Sequence, residues 1–499
     1  MIYNINFGIG WASSGVEYAQ SYRAELLRKA GYPMKFVFLD FISAENIQTL
    51  TSNLGYHDDE IIWLYQYFTD TRIAPTTYTL EQVRQSLDGE VTHVERLGKT
   101  VRLHYGEGSF ATCYLKHADQ DYVDRVELVS KGKLIRKDYY SYTLLYSEYY
   151  YPKEERATLV SRVFYNEDGS VAYTEYVNGD DAIFKINGLV LNGKMAFVDY
   201  FMQSLQTTRE DIVIIDRATH LGQALFRHVK PAKLGVVIHA EHFSENATTA
   251  ETILWNNHYE YQFKHAHLVD FFITATDIQA DILRKQFEQY EQISPAIYTI
   301  PVGSLKELTK SKHRKPYAVM TASRLASEKH IDWLIRAVVL AKQHVSELTF
   351  DIYGEGGERA RLTQLVRELN ASDYITFKGH VHLQKVYRDY TLFLTGSTSE
   401  GFGLTLMEAV GSGLAMIGLD VNYGNPTFID QGKNGYLIPY ADVKEQNEQL
   451  IQAYVQAIIQ YFEGDTKAFH KHSYHIASAF KSTVIQQKWI DLIEEVQHD

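Results

Sequence analysis

The stretch from Leu392 to Gly413 constrains this chain more than any other. Residues 392–395 form a short apolar run that predicts a strand, and Gly401 and Gly403 follow in a turn. From Leu404 the pattern predicts a helix that runs to Gly411 and Gly413. A strand, a glycine-rich turn and a helix start together point free N–H groups and a positive dipole end at one spot. That spot suits a phosphate. Glu400 falls in the turn and Glu408 about a turn into the helix, so one carboxylate can reach each side of a bound nucleotide sugar. Sugars present rows of hydroxyl donors, and carboxylates accept them with charge-assisted strength.

The same pattern recurs along much of the chain. Residues 1–70 predict a strand at 3–7, a glycine loop from Gly8 to Gly15, a helix at 14–30 and a strand at 35–40. After residue 195 strands are predicted at 212–216, 234–237, 271–275 and 296–300. Beyond a basic linker at 306–315, further strands are predicted at 318–321, 349–353, 374–377, 392–395, 415–418 and 435–438. Between 71 and 195 the texture is different. Runs such as 101–105, 111–115, 122–129 and 133–138 alternate with period two and are punctuated by glycines. The resulting expectation is an α/β protein with an inserted antiparallel β-meander. Its N-terminal Rossmann-like domain is 1–70 plus 196–305, the insertion 71–195 and the second Rossmann-like domain 306–475. Residues 476–499 form a helix expected to pack back on the N-terminal domain.

Composition excludes several classes. With 62 acidic and 49 basic residues among 499, the formal charge is −13, so a broad nucleic-acid surface is not expected. The one cysteine, Cys113, rules out an intramolecular disulfide framework and cysteine-cluster zinc sites. The first residues lack the basic and apolar regions of a signal peptide, and no apolar run reaches membrane-spanning length. A cytoplasmic protein is expected, with at most weak peripheral contact with a membrane.

Other motifs are weaker taken singly. Gly15, with Ser14 before it, could bring backbone close to a diphosphate. Arg324 and Lys329 could both reach phosphate oxygens, although scattered charge at a helix start, taken by itself, reads more readily as a solvated surface. Gly354 and Gly356 permit a tight turn, and His380 and Val381 follow the next strand, where backbone could meet a base edge. His239 and His242 stand at the end of a strand. With no HExxH or Asp-x-Asp beside them, a metal is not expected, and His242 reads as a structural histidine more readily than His239. The tyrosine-rich 139–151 stretch reads as packed, half-buried strands that could together bind an extended peptide or a partner.

In combination these motifs are specific. Arg324 and Lys329, then Gly354-x-Gly356, then Glu400-x7-Glu408 resemble the retaining family 4 glycosyltransferases of GT-B fold, two Rossmann-like domains facing a cleft. The stretches 6–19 and 239–248, with 254–257 and 423–425, resemble one subgroup, the catalytic O-GlcNAc transferases (glycosyltransferase A subunit type) that start O-glycosylation of serine-rich repeat adhesins. The resemblance spans essentially the whole chain. It implies UDP-GlcNAc as donor and serine or threonine hydroxyls as acceptor, with no cofactor and no metal. Arg324, Lys329, Glu400 and His239 would be catalytic. Gly15 and Ser14 would lie by the phosphates, Gly354, His380 and Val381 by the nucleotide, and Glu408 on the ribose. Gly401, Phe402, Gly403, Leu404 and Thr405 would offer backbone N–H groups to sugar and diphosphate. A related, catalytically silent co-activator subunit, or self-assembly up to a tetramer, is expected through the insertion.

Three alternatives share parts of this reading: UDP-glucose as donor, a teichoic acid or polysaccharide acceptor, and a non-catalytic peptide-binding co-activator. The co-activator would lack the cationic and glutamate pairs, which this chain keeps.

Overall fold

The computed structural model describes residues 1–10, 15–154, 156–441 and 447–498. Contacts divide the chain into two compact units, Met1–Gly235 and Val236–Asp499.

In the first unit, strands Ile2–Asn6, Met34–Phe38, Ile61–Trp63 and Ile212–Ile215 lie parallel. Ile2–Asn6 pairs with both Met34–Phe38 and Ile212–Ile215. Helix Gly15–Lys29 buries Ala19, Arg23, Ala24, Leu26 and Leu27 along one face. Its buried charge is paired: Arg23 donates to both oxygens of Asp216 at 2.7 and 2.9 Å, and Gln20 donates to the same carboxylate at 2.8 Å. Removing one partner of such a buried pair strands the other, so the web fixes where this helix starts relative to the strand ends.

Residues 93–192 supply ten strands in one antiparallel sheet, each beside its sequence neighbour. The period-two reading holds in detail, with Val101, Leu103, Ala111, Cys113 and Leu115 all buried on one core. Burial pushes the Cys113 thiol up to about 12, leaving it a small hydrophobe. Tyr140 and Tyr146 are buried whereas Tyr151 is 63 % exposed, so the tyrosine stretch both packs and faces water. Helix Leu80–Ser86 stands within the segment expected to be β-rich, started by a Thr79/Gln82 capping box whose signal lies in the sequence.

In the second unit, strands Phe271–Thr274 and Ile297–Thr299 pair in parallel. A six-stranded parallel sheet follows, in the order Ile375–Gly379, Thr349–Tyr353, Ala318–Ala322, Leu392–Leu394, Ala415–Asp420, Gly435–Pro439. Successive strand residues enter opposite cores. Val319, Leu392 and Ile417 join Trp333 and Tyr454 on one face, while Met320, Phe393 and Met416 join Leu406 and Phe428 on the other. Burial on both faces is why these strands read as continuous apolar runs. The C-terminal helix Ser482–His498 lies on strand Ile297–Thr299, where Lys488 donates to the Thr299 carbonyl at 3.1 Å and Tyr298 to Glu495 at 2.8 Å. Among the described residues no helix is long and apolar enough to cross a membrane.

Candidate active site

In the six-stranded sheet, the strand order turns back between Ala318–Ala322 and Leu392–Leu394, which are neighbours in space and remote in sequence. Loops leaving two such strands diverge and open a crevice at their C-terminal ends, where open α/β sheets bind ligands. Lys329 follows the first of these strands and Glu400 the second. Their side chains meet, with Lys329 Nζ 2.9 Å from Glu400 Oε2. Ser397 completes the cluster, accepting from Lys329 at 2.8 Å and lying 3.3 Å from the same Glu400 oxygen. Gly396 makes the approach feasible: a Cβ there would stand 2.9 Å from the Lys329 and His330 carbonyls.

The expected cationic pair is split. Lys329 is 19 % exposed and turned to Glu400, whereas Arg324 is 74 % exposed and pairs with Glu328 at 2.8 Å. The loop bearing Arg324 is nonetheless held firmly. Gly354 sits at φ +124°, and a Cβ on it would lie 1.9 Å from the Ser323 carbonyl. Gly356 presses likewise on the Leu325 carbonyl, at 2.3 Å. These two glycines therefore let one loop pack against the loop that bears Arg324. His380 and Val381 are exposed just past Gly379, whose carbonyl accepts from Gly354 N–H at 2.8 Å.

Gly403, at φ +89°, leads into helix Leu404–Gly411. Phe402 is buried against Phe428 and Phe480, while Leu404 and Thr405 are half-buried at the helix start. Glu408 accepts from Tyr387 at 2.9 Å, and burial pushes its carboxyl above the usual carboxylate range. Nothing in the sequence around Tyr387 signals that contact.

Two contacts tie the 239–242 segment to the Glu400 loop, and a third runs through Tyr423. A Cβ on Gly401 would stand 2.8 Å from the His239 carbonyl, so only glycine fits there. Ser399 donates to Glu241 at 3.3 Å. His242 is fully buried, with Nδ1 3.0 Å from the Tyr423 hydroxyl and Nε2 2.7 Å from Gln286. Burial pushes its pKa down to about 4, so the ring is neutral. His242 is thus the structural histidine of the two. Half-buried His239 has its backbone N–H bonded to the Tyr259 hydroxyl at 3.0 Å. Tyr423 and Gly424 donate their N–H groups to the Glu400 carbonyl at 2.9 and 2.8 Å, which gives the 423–425 triplet a physical meaning. Gly15 opens helix Gly15–Lys29 in the first unit, and Ser14 lies outside the described residues.

Two family models match the chain: "GtfA extended beta-sheet domain" over residues 93–188 and "Glycosyl transferases group 1" over residues 306–457. The GtfA subunit of a UDP-N-acetylglucosamine–peptide N-acetylglucosaminyltransferase from Streptococcus gordonii is 53 % identical across all of this chain and 99 % of its own length. The chain belongs to the GtfA-subunit family. A crystal structure of the pneumococcal O-GlcNAc transferase GtfA in complex with UDP and GlcNAc superposes with TM-score 0.93 at 51 % identity, covering all of this chain and 99 % of that one. A crystal structure of a GtfA/B complex superposes with TM-score 0.96 at 52 % identity, covering both chains in full. The GT-B class with an antiparallel extension, expected from the residues, is the fold of this GtfA-family chain. Nine of the ten strands, those within residues 93–186, fall inside the matched extended sheet, and Leu189–Asn192 follows just beyond it.

Proposed function

We propose that this chain is a retaining glycosyltransferase that moves N-acetylglucosamine from UDP-N-acetylglucosamine to serine and threonine hydroxyls of a serine-rich polypeptide. The observation that carries the reading is the Lys329–Glu400–Ser397 cluster at the strand reversal, in a chain similar over its full length to GtfA subunits that are named for this transfer. That similarity favours a peptide acceptor over a wall polymer, and N-acetylglucosamine over glucose.

In this reading Lys329 holds the diphosphate, and Arg324 exchanges its exposed partner Glu328 for a phosphate oxygen, which costs little because a solvated ion pair is weak. Glu400 accepts sugar hydroxyls and Glu408 the ribose. The N–H groups of residues 401–405 face sugar and diphosphate, with His239 beside the sugar. Gly15 and Ser14 approach the phosphates, while Gly354, His380 and Val381 border the nucleotide. The bond from the anomeric carbon to the diphosphate breaks as the acceptor hydroxyl attacks the same face. The departing β-phosphate takes the acceptor proton, and the cations neutralise charge that grows on it. Lys329 and Arg324 supply that neutralisation, so no metal or cofactor is proposed.

The acceptor would be a serine-rich adhesin, met in the cytoplasm with at most peripheral contact with the membrane. A related co-activator subunit, such as the one in the GtfA/B complex, or a tetrameric assembly, would form through the extended sheet. Incubation with a panel of UDP-sugars, with and without a serine-rich peptide, tests the reading. Peptide-stimulated consumption of UDP-N-acetylglucosamine is expected. Peptide-independent rates, or preference for UDP-glucose, would refute it.

A further inference from the structure

The first unit contains a cavity of about 180 Å³ between residues 42–47 and the extended sheet. It has roughly the room of one six-membered ring, a cavity of about 150 Å³ being enough for benzene, and it is open on one side, so the substituents of a larger ligand can project out of it. Its walls include Trp63, Tyr114, Tyr139 and Tyr146. The polar ends of three of these are already taken. Trp63 Nε1 donates to the Asp40 carbonyl at 2.9 Å, Tyr114 to Glu127 at 3.0 Å and Tyr139 to Glu148 at 2.9 Å. What they offer an occupant is ring carbon.

Part of the remaining polar lining is unsatisfied, although the Asn46 amide is fully bonded and its backbone N–H donates to Glu45 at 3.2 Å. Glu45 and Asp124 line the same cavity, and neither joins an ion pair among the described residues. Asp124 Oδ1 and Arg125 Nε are buried without a hydrogen-bond partner. Burial, and then the negative charge of Asp124, push the Glu45 carboxyl above its ordinary value, so two carboxylates bear on one small space. Unpaired polar groups around a preformed, aromatic-walled pocket mark a ligand site.

The chemistry selects the occupant. A cation is already provided for: the Arg125 guanidinium lies 4.3 Å from the Tyr114 ring centre and pairs with Glu127 at 3.4 Å. The cavity lacks a neutral group with an apolar face for the rings, hydroxyl donors for Glu45 and Asp124, and an acceptor for Arg125. A pyranose bearing an acetamide has all three. We propose that this cavity is a second carbohydrate site, which takes one N-acetylglucosamine residue of the glycosylated product. The identity of that sugar rests on the transfer reading above. Such a site would retain an acceptor that already carries sugar while further serines are modified.

The test uses methyl α-N-acetylglucosaminide as probe and the full chain, as wild type and as the Glu45→Gln/Asp124→Asn double variant, whose side chains keep their shape. Binding followed by saturation-transfer NMR is expected to weaken roughly tenfold or more in the double variant, the loss of charged acceptors. UDP-N-acetylglucosamine hydrolysis should stay within about twofold of wild type. Crystals of the wild type soaked with the probe should show a ring against Trp63 and Tyr139, a result that does not depend on how the variant folds. Equal affinity in the two proteins, an empty cavity in the soaked crystal, or N-acetyl-lysinamide bound there instead would overturn the proposal. Probe bound in the cavity of a protein that fails to hydrolyse or transfer from UDP-N-acetylglucosamine would support the site and overturn the transferase reading.

Discussion

Lys329 and Glu400 lie 71 residues apart in sequence, and their charged atoms are 2.9 Å apart. Adjacent strands on either side of the order reversal bring them together, and Ser397 bridges both. Lys329→Ala and Glu400→Gln are expected to fold and to lose about two to three decades in kcat, the usual effect of removing one preorganised charge-stabilising group. Thermal melts with steady-state rates check this. Near-normal turnover in either variant contradicts the assignment.

Glu408 should behave differently, because the ribose contact proposed for it would be made equally in ground and transition states. Glu408→Gln keeps an acceptor for the Tyr387 hydroxyl, now 2.9 Å from the carboxylate, and removes only charge. The expected outcome is a KM for the donor raised about tenfold with kcat little changed. A fall in kcat with KM unchanged would place Glu408 on the reacting sugar instead.

Gly354 is expected to be irreplaceable while nearby Gly357 is not. A Cβ at Gly354 meets the Ser323 carbonyl at 1.9 Å, whereas one at Gly357 meets nothing within 4 Å. Gly354→Ala should cost about 1–3 kcal/mol from overpacking, besides the left-handed strain, and should weaken donor binding by displacing the Arg324 loop. Gly357→Ala should leave both melting temperature and donor affinity near wild type. Indistinguishable variants would refute the packing argument.

His242 predicts acid lability. Its folded pKa of about 4 lies below the ordinary 6.5, so the unfolded chain takes up its proton first as pH falls. Its stabilising contribution is complete above about pH 6.5 and is lost progressively towards pH 4, by at most about 1.4 kcal/mol per pH unit. Half-buried His470, also pushed down to about 4, adds a second decline of the same sign. Melts between about pH 7 and pH 5 should therefore fall more steeply for wild type than for His242→Gln. Parallel curves would show that His242 does not titrate on unfolding.

Much of this was legible in the residues because local pattern carried it. Period two in the 101–115 runs and apolar strands ending in glycine turns located the predicted strands to within a residue or two, while the short strand Ile61–Trp63 was missed. Strand Thr349–Tyr353 has the predicted bounds. Long-range geometry was not legible. Arg324 and Lys329 look equivalent in sequence, but only Lys329 faces Glu400, and Arg324 takes the nearer Glu328. Gly354 and Gly356 suggested a turn beside a nucleotide, while their close fit is to the carbonyls of Ser323 and Leu325. His239 and His242 were hard to separate until burial and the Tyr423 and Gln286 contacts distinguished them. A Thr79-x-x-Gln82 cap was present in the sequence and missed because strand texture surrounds it.

The most direct measurement is mass spectrometry of a serine-rich peptide incubated with UDP-N-acetylglucosamine and either the wild-type chain or Lys329→Ala, each in the presence of the co-activator subunit proposed above. The expected result is stepwise addition of N-acetylhexosamine to serine or threonine by the wild type and almost none by the variant at the same time point. Equal modification by both, or an unmodified peptide with the wild type, would contradict a transfer site built on Lys329 and Glu400.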